Sequence, residues 1–220
     1  MIRYKFITTC LLIGLSTFSG KTQSTGQLIF ADNFLKEAIG KSPSNWESNV
    51  PCEIVSVKNE PGKWMNMHAG GTYVPLLTQN FPENFKLEFD FIYKALGEDY
   101  NITEITIFSQ KPGGDNDIAF PGNEGLKIFL ENFIVSYACY SQQKTDDKLA
   151  KEFRTNIIQT DKRVEVSIQV MHQEVNVSIN HHQLITSRFP GSVALFNALR
   201  FHLWGSQAEP LISNLKITYL

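Results

Sequence analysis

Hydrophobic and polar residues alternate along most of the chain after residue 27, with a period close to two rather than the 3.6 residues of a helix. In the segment 85–93 every second residue is large and apolar: Phe85, Leu87, Phe89 and Phe91. Charged residues occupy the positions between them: Lys86, Glu88 and Asp90. This alternation is typical of an antiparallel sheet that packs one face on a core.

The same alternation recurs later in the chain. It is clear in 164–170, 175–179 and 199–203, with a turn near His172-Gln173 between the first two. Shorter segments also have strand character: 28–30, 54–57, 64–67, 73–77, 102–109, 126–130, 133–140 and 212–219.

About a dozen short strands separated by frequent turns predict an all-β domain, either a sandwich or a barrel. We favour a two-sheet antiparallel sandwich. We also expect the strand at 102–109 to lie beside the one at 85–93. No segment has the length and period of an ordinary helix.

The first 24 residues differ from the rest of the chain. Arg3 and Lys5 precede a short apolar run at 6–15, and small residues follow it. That is the layout of a secretory signal peptide, and the run is too short for a membrane span of about 20 apolar residues. We therefore expect residues 1–24 to be a signal peptide and residues 25–220 a single exported domain.

Cleavage after Ser19 or Ser24 would release a protein into the periplasm, onto the outer surface or into the medium, without a membrane span. Loss of residues 1–24 leaves 17 basic residues against 22 acidic ones, a formal balance of −5. No basic stripe is present, so a nucleic-acid partner is disfavoured. An apolar content of 42% and a charged content of 19% are ordinary for a folded domain.

Two cysteines remain in the expected mature chain, Cys52 and Cys139. An oxidising compartment permits a bridge between them. Cys139 lies at a period-two position beside Val135 and Tyr137, where a buried free thiol explains it equally well. The sequence leaves both possibilities open.

The order of the segments resembles that of concanavalin A-like, laminin-G-type modules, including some in bacterial envelope proteins. Four segments carry the resemblance: FADNF at 30–34 with Pro43 and Trp46 after it, FPENFKLEFDF at 81–91, the alternating pair at 164–185, and ISNLKI at 212–217. It implies a jelly-roll sandwich. One departure is His181-His182-Gln183 in place of an Asn-Gly turn, from which we expect a longer hairpin loop.

Members of this superfamily include lectins, glycan hydrolases and adhesion modules, so the fold alone does not choose among them. Its hydrolases carry a Glu-x-Asp-x-Glu strand. Glu88 and Asp90 match the first two acids, but Ile92 stands where the second glutamate would be. Retaining hydrolysis requires a pair of carboxyl groups about 5–5.5 Å apart. We therefore expect Glu88 and Asp90 to be solvated surface carboxylates, and an enzymatic role is not favoured.

The loop residues Asp115, Asn116 and Asp117 are the best candidates for a metal site. Calcium prefers several carboxylate and carbonyl oxygens from flexible loops, although these residues also form ordinary turns. Asp32 near Asn214 is a weaker alternative. The sequence thus allows either no cofactor or a structural calcium ion.

Arg200, His202 and Trp204 alternate with apolar residues and should share the face opposite the core. A tryptophan beside hydrogen-bonding groups suits a sugar, because the ring stacks on apolar sugar faces while polar groups hold the hydroxyls. The alternative is that Trp204 packs beneath a loop at the edge of the sandwich. We expect Trp46 and Trp64 to fill the core or its ends.

Three hypotheses follow from the sequence. The leading one is an exported, non-catalytic module that binds a polysaccharide or glycoconjugate through Arg200, His202 and Trp204. The second is a structural or adhesion module that binds an envelope protein, which predicts an exposed apolar patch. The third is a glycan hydrolase or lyase, which predicts that a second carboxylate lies near Glu88 or Asp90.

Overall fold

The computed structural model describes residues 26–94, 102–109, 124–131, 134–141, 151–189, 196–205 and 209–220. The expected signal peptide at 1–24 therefore lies outside the described residues. Within them the chain forms fifteen strands and no helix: β1 (Leu28–Asp32), β2 (Trp46–Ser48), β3 (Glu53–Val55), β4 (Trp64–Asn66), β5 (Thr72–Pro75), β6 (Phe85–Ile92), β7 (Ile102–Phe108), β8 (Glu124–Glu131), β9 (Ile134–Ser141), β10 (Lys151–Arg154), β11 (Arg163–Met171), β12 (Glu174–Ile179), β13 (His182–Arg188), β14 (Ala198–Trp204) and β15 (Leu211–Tyr219). None of the described residues belongs to a helix that is long and apolar enough to cross a bilayer.

The strands form two antiparallel sheets. Sheet A has the order β13-β12-β11-β6-β15-β4-β3, and β1 also pairs with β15. Sheet B has the order β10-β9-β8-β7-β14-β5-β2. The predicted all-β, two-sheet antiparallel sandwich is confirmed.

The core lies between the two sheets, where the apolar positions of the alternating strands meet. Phe89 of sheet A and Phe201 of sheet B pack edge to face, with ring centroids 5.4 Å apart. Trp46 extends this aromatic cluster, with its centroid 5.9 Å from that of Phe201. Burial of each such ring stabilises the fold by roughly 1.5–3 kcal/mol. Cys52 and Cys139 are both buried, and no disulfide joins them.

The expected pairing of the strands at 85–93 and 102–109 is wrong. The first is β6, which lies between β11 and β15 in sheet A, whereas the second is β7, which lies between β8 and β14 in sheet B. A period of two tells which face of a strand is buried. It carries no information on which strands pair. In this chain β6 and β7 follow each other in sequence but belong to opposite sheets.

The expected long loop at His181-His182-Gln183 is also wrong. Strand β12 ends at Ile179 and β13 begins at His182, so the turn has two residues. Asn180 and His181 adopt φ values of 48° and 65°, as the inner residues of a type I′ turn do. Asn tolerates this left-handed region better than most residues, which removes the need for glycine.

Gly71 is required by the packing of Tyr73 at the start of β5. A side chain at Gly71 would overlap the phenol group of Tyr73. That phenol oxygen accepts a hydrogen bond from the His68 backbone N–H at 2.6 Å, and burial raises the pKa of Tyr73 to about 12. The contact fixes the start of β5 and so places Thr72 beside β14.

Candidate functional site

Strand β14 presents alternate faces to the core and to the outside of sheet B. Its apolar residues Leu199, Phe201 and Leu203 are completely buried in the core. Its outward residues are the three predicted from the sequence: Arg200, His202 and Trp204. They face Thr106, Glu104 and Ile102 of the neighbouring strand β7, respectively.

Glu104 is the centre of a hydrogen-bond network on this outer face. Its Oε1 accepts hydrogen bonds from Arg200 Nη2 at 2.5 Å and Thr106 Oγ1 at 2.7 Å. Lys127 Nζ lies 3.1 Å from the same oxygen. Its Oε2 accepts a hydrogen bond from the Trp204 indole N–H at 2.9 Å. A carboxylate has about four acceptor positions, so this network uses most of the capacity of Glu104.

The electrostatics of the network keep Glu104 ionised. Burial acts to raise the pKa of Glu104, but Lys127 and the hydrogen bonds from Thr106 and Trp204 outweigh it, so the pKa is lowered. The charge of Arg200 acts in the same direction. The carboxylate is therefore negative at neutral pH and attracts its donors strongly.

Arg200 is only 1% exposed, so the expectation that it forms part of an exposed face is wrong. An unpaired guanidinium would be costly to bury, but the carboxylate of Glu104 compensates for that cost. Arg200 therefore supports the site from beneath the surface.

His202 is held between the sheet and the tryptophan ring. Its Nδ1 lies 2.8 Å from Thr72 Oγ1, and its ring packs edge to face against Trp204 with centroids 4.5 Å apart. Burial, together with the charge of Arg200, lowers the pKa of His202. The imidazole is therefore neutral at pH 7, with one nitrogen donor and one acceptor.

Trp204 differs from the other two tryptophans of the chain. It is 50% exposed, whereas Trp46 and Trp64 are buried. Trp46 lies in the main core as predicted, whereas Trp64 lies in a separate small apolar cluster. The indole N–H of Trp204 is fixed by Glu104, and the Trp204 ring by His202. The result is a partly exposed aromatic surface with a defined orientation.

The sequence did not identify Glu104, Lys127 or Thr72 as parts of this site. Each lies on a different strand, and only the sheet brings them to β14. One signal was available, since Glu104 is the only charged residue between positions 102 and 109.

The outer face of sheet A also carries a buried carboxylate. Asp90 accepts hydrogen bonds from Arg163 Nη2 at 2.9 Å and from Asn214 Nδ2 at 2.6 Å, and its side chain is 6% exposed. The expectation of a solvated Asp90 is therefore wrong. A bulge in β15 places Asn214 at a φ of 51°, beside the Asp90 carboxylate.

Other carboxylates do lie near Asp90. Glu165 is its direct partner in the register between β6 and β11. Glu88 is paired with Lys86 Nζ at 2.5 Å. Acid–base chemistry needs a carboxyl group within reach of a substrate, and the Asp90 carboxylate is instead enclosed by its own donors.

The structure describes only one of the two candidate metal sites predicted from the sequence. Asp115, Asn116 and Asp117 lie outside the described residues. Asp32 accepts hydrogen bonds from the Phe34 backbone N–H at 2.9 Å and from Trp46 Nε1 at 3.0 Å, so its side chain stabilises the first loop. In the described part of the chain, no cluster of three His, Cys, Asp or Glu residues is arranged to hold a metal ion.

Comparison with known proteins identifies the fold. No protein-family model matches the chain, and no curated protein matches it. A Bacillus subtilis protein of unknown function with a galectin-like fold superimposes with a TM-score of 0.61 at 9% identity, over 89% of this chain and 97% of that one. The Emp47p carbohydrate recognition domain gives 0.57 at 15% identity, over 91% and 99%.

A third match is the exoplasmic/lumenal domain of VIP36 in its Ca²⁺/Man-bound form. Its TM-score is 0.55 at 12% identity, over 81% of this chain and 84% of that one. At these identities the likeness establishes the architecture. The chain is a concanavalin A-like, galectin-like jelly-roll β-sandwich.

Proposed function

We propose that this concanavalin A-like sandwich is an exported, non-catalytic module that binds a polysaccharide or glycoconjugate on the outer face of sheet B. Trp204 carries the proposal. Half of its surface is exposed, and its indole N–H is bonded to the buried carboxylate of Glu104. An aromatic face held in this way can stack on the apolar face of a sugar ring without losing much conformational freedom on binding.

The neighbours of Trp204 divide into two roles. Glu104 and Arg200 are buried and bonded to each other, so they act as positioning residues. His202, whose ring packs on that of Trp204, and Lys127, whose ammonium group lies beside the Glu104 carboxylate, are both partly exposed. A neutral imidazole and an ammonium group supply the hydrogen bonds that fix sugar hydroxyls, while the indole supplies the apolar contact.

Two further observations support the proposal. The similar structures include a carbohydrate recognition domain and a domain with mannose in its Ca²⁺/Man-bound form. Export is supported by the basic start, short apolar run and small residues of positions 1–24. A structural calcium ion at Asp115, Asn116 and Asp117 remains a prediction.

The test is a glycan array followed by calorimetry on three proteins: the wild type, Trp204→Ala and Leu35→Ala. Leu35 is 56% exposed and lies in the loop after β1, so it controls for the loss of an exposed apolar side chain. We expect Trp204→Ala to weaken binding at least tenfold, equivalent to about 1.4 kcal/mol. Leu35→Ala should bind as the wild type does.

Two results would contradict the proposal. One is a folded wild-type protein that binds no glycan on the array. The other is binding that Trp204→Ala leaves unchanged.

A further inference from the structure

A second candidate surface lies where the open edges of the two sheets meet. Strand β10 is the edge of sheet B and β13 is the edge of sheet A, and Lys151 Nζ donates a hydrogen bond to the Thr186 carbonyl between them. Beside this contact is a groove of about 1020 Å³. The groove lies apart from the network around Glu104 and shares no residue with it.

The lining of the groove combines apolar and hydrogen-bonding side chains. The apolar ones include an aromatic ring: Phe153, Ile134, Ile157 and Leu184. The polar ones are amides, a guanidinium, an imidazole and a hydroxyl: Asn156, Gln183, Arg154, His182 and Thr155. Phe153 is 41% exposed, so its ring is accessible from the groove. Aromatic rings beside planar polar groups form the kind of concave surface that binds a small polar molecule with apolar faces.

The register of sheet B relates this groove to Trp204. Five residues form one row across five neighbouring strands: His202, Glu104, Phe129, Ser136 and Glu152. Trp204 lies two residues beyond His202, and Arg154 lies two residues beyond Glu152, at the same end of the row. Four strand spacings separate β14 from β10, which is about 19 Å.

The outer face between these two points carries partly exposed side chains. Phe129 and Ser136 occupy the centre of the row and are half-buried. Ile134 belongs both to this face and to the lining of the groove. The face therefore leads from Trp204 to the groove along a line perpendicular to the strands.

Resting on the glycan-binding function above, we propose that the groove is a second subsite for the same ligand. The ligand is then an extended polysaccharide chain that crosses the outer face of sheet B from Trp204 to Ile134 and Arg154, where that face meets the groove. Phe153 pairs with the core residue Val135 and lines the groove from the other face of β10. A terminal sugar or a disaccharide is too short to contact both Trp204 and Arg154, which lie on strands about 19 Å apart. A longer chain reaches both, and binding at the first site raises the effective concentration of sugar at the second.

The experiment uses chain length as its variable. Native gels that contain dextran, laminarin, xylan, alginate or hyaluronan identify a polymer that retards the full-length protein. Dimer, tetramer, hexamer and octamer fractions of that polymer are then titrated by calorimetry. The variants are Phe153→Ala and Arg154→Ala, both at exposed positions where the fold should be retained.

Two matched controls come from the opposite end of sheet A. Met171→Ala removes an apolar side chain that is 42% exposed, close to the 41% of Phe153. Arg188→Ala removes an exposed arginine of β13 outside the groove, with the same change of charge as Arg154→Ala. Circular dichroism is used to check that all four variants fold.

We expect the affinity to rise at least tenfold between the dimer and the octamer. Phe153→Ala and Arg154→Ala should weaken octamer binding roughly fivefold to tenfold and leave dimer binding unchanged, with no effect from the two controls. Equal affinities for dimer and octamer, or groove variants that bind the octamer as the wild type does, would overturn the second subsite. If binding also depends on Trp204, the glycan-binding function survives that result. Retardation by no polymer would overturn both proposals.

Discussion

The outer faces of the two sheets are built from similar parts. Each has a buried carboxylate bonded to an arginine, Asp90 to Arg163 in sheet A and Glu104 to Arg200 in sheet B. Each also has a tryptophan. The two faces differ in what the tryptophan does, since Trp64 is completely buried and Trp204 is 50% exposed.

Trp64 therefore stabilises the fold, whereas Trp204 presents an aromatic surface to the solvent. Trp64 packs on Ile92 and Leu211 in a small apolar cluster outside the main core. Trp204 instead directs its indole N–H to a buried carboxylate and leaves much of its surface accessible. A buried ion pair is therefore not in itself a sign of a binding site. The sign is a large apolar side chain that the ion-pair network holds in an exposed position.

The largest expected effect compares the two tryptophans. Trp64→Ala should lower the free energy of unfolding by about 3–5 kcal/mol, because it leaves a cavity beside Ile92 and Leu211. Trp204→Ala should lower it by less than about 1 kcal/mol, in line with the loss of a half-exposed side chain. Urea unfolding of both variants measures the difference. Equal losses would show that Trp204 is a structural residue like Trp64.

The second comparison is between the two carboxylates. Glu104→Gln should cost roughly 3 kcal/mol, because the charge of the buried Arg200 loses its counter-ion. Asp90→Asn should cost about 1–3 kcal/mol, because Arg163 is more exposed and can be solvated by water. Urea unfolding gives both values.

Glycan binding should distinguish the same two variants further. Glu104→Gln removes a charge-assisted acceptor for the Trp204 indole and should weaken binding. Asp90→Asn should leave binding unchanged, as measured by calorimetry with an array-positive oligosaccharide. Equal effects on binding would remove the distinction between the two faces.

A smaller effect is expected when the pH is changed. The pH dependence of the free energy of unfolding should come from His202 and Glu104 on the outer face of sheet B. The pKa of His202 is lowered by burial, so the folded state binds its proton less readily than the unfolded state does. The corresponding stability is present above the ordinary pKa of 6.5 and is lost as the pH falls toward the lowered value. Glu104, whose pKa is also lowered, adds a loss below its ordinary pKa of 4.5.

We therefore expect the free energy of unfolding to fall between pH 7 and pH 5, and to fall less in His202→Gln. Urea unfolding at several pH values measures both slopes. His172→Gln, in the turn between β11 and β12, is the matched control and should keep the wild-type slope. A slope that is identical in wild type and His202→Gln would contradict the assigned environment of the imidazole.

The alternating sequence predicts faces well, and it predicted the outward direction of Arg200, His202 and Trp204. Their neighbours were not predictable in the same way. Glu104 reaches Trp204 because β7 pairs with β14, which brings together two residues one hundred positions apart in the sequence. No local pattern encodes such a pairing.

The sequence also failed to predict which charged residues are buried. Arg200 and Asp90 are charged residues at outward positions, for which exposure is the usual outcome. Both are buried because a partner from a distant strand compensates the charge. The tight turn at Asn180-His181 was missed for a different reason, since an Asn-His pair is a rarer form of type I′ turn than Asn-Gly.

The most direct test observes the three indole N–H groups by NMR during titration with an array-positive oligosaccharide. The Trp204→Phe variant assigns one of the three signals. We predict that the Trp204 signal shifts in proportion to bound sugar, while those of Trp46 and Trp64 remain in place. Saturable binding that leaves the Trp204 signal unmoved would contradict a glycan site on the outer face of sheet B.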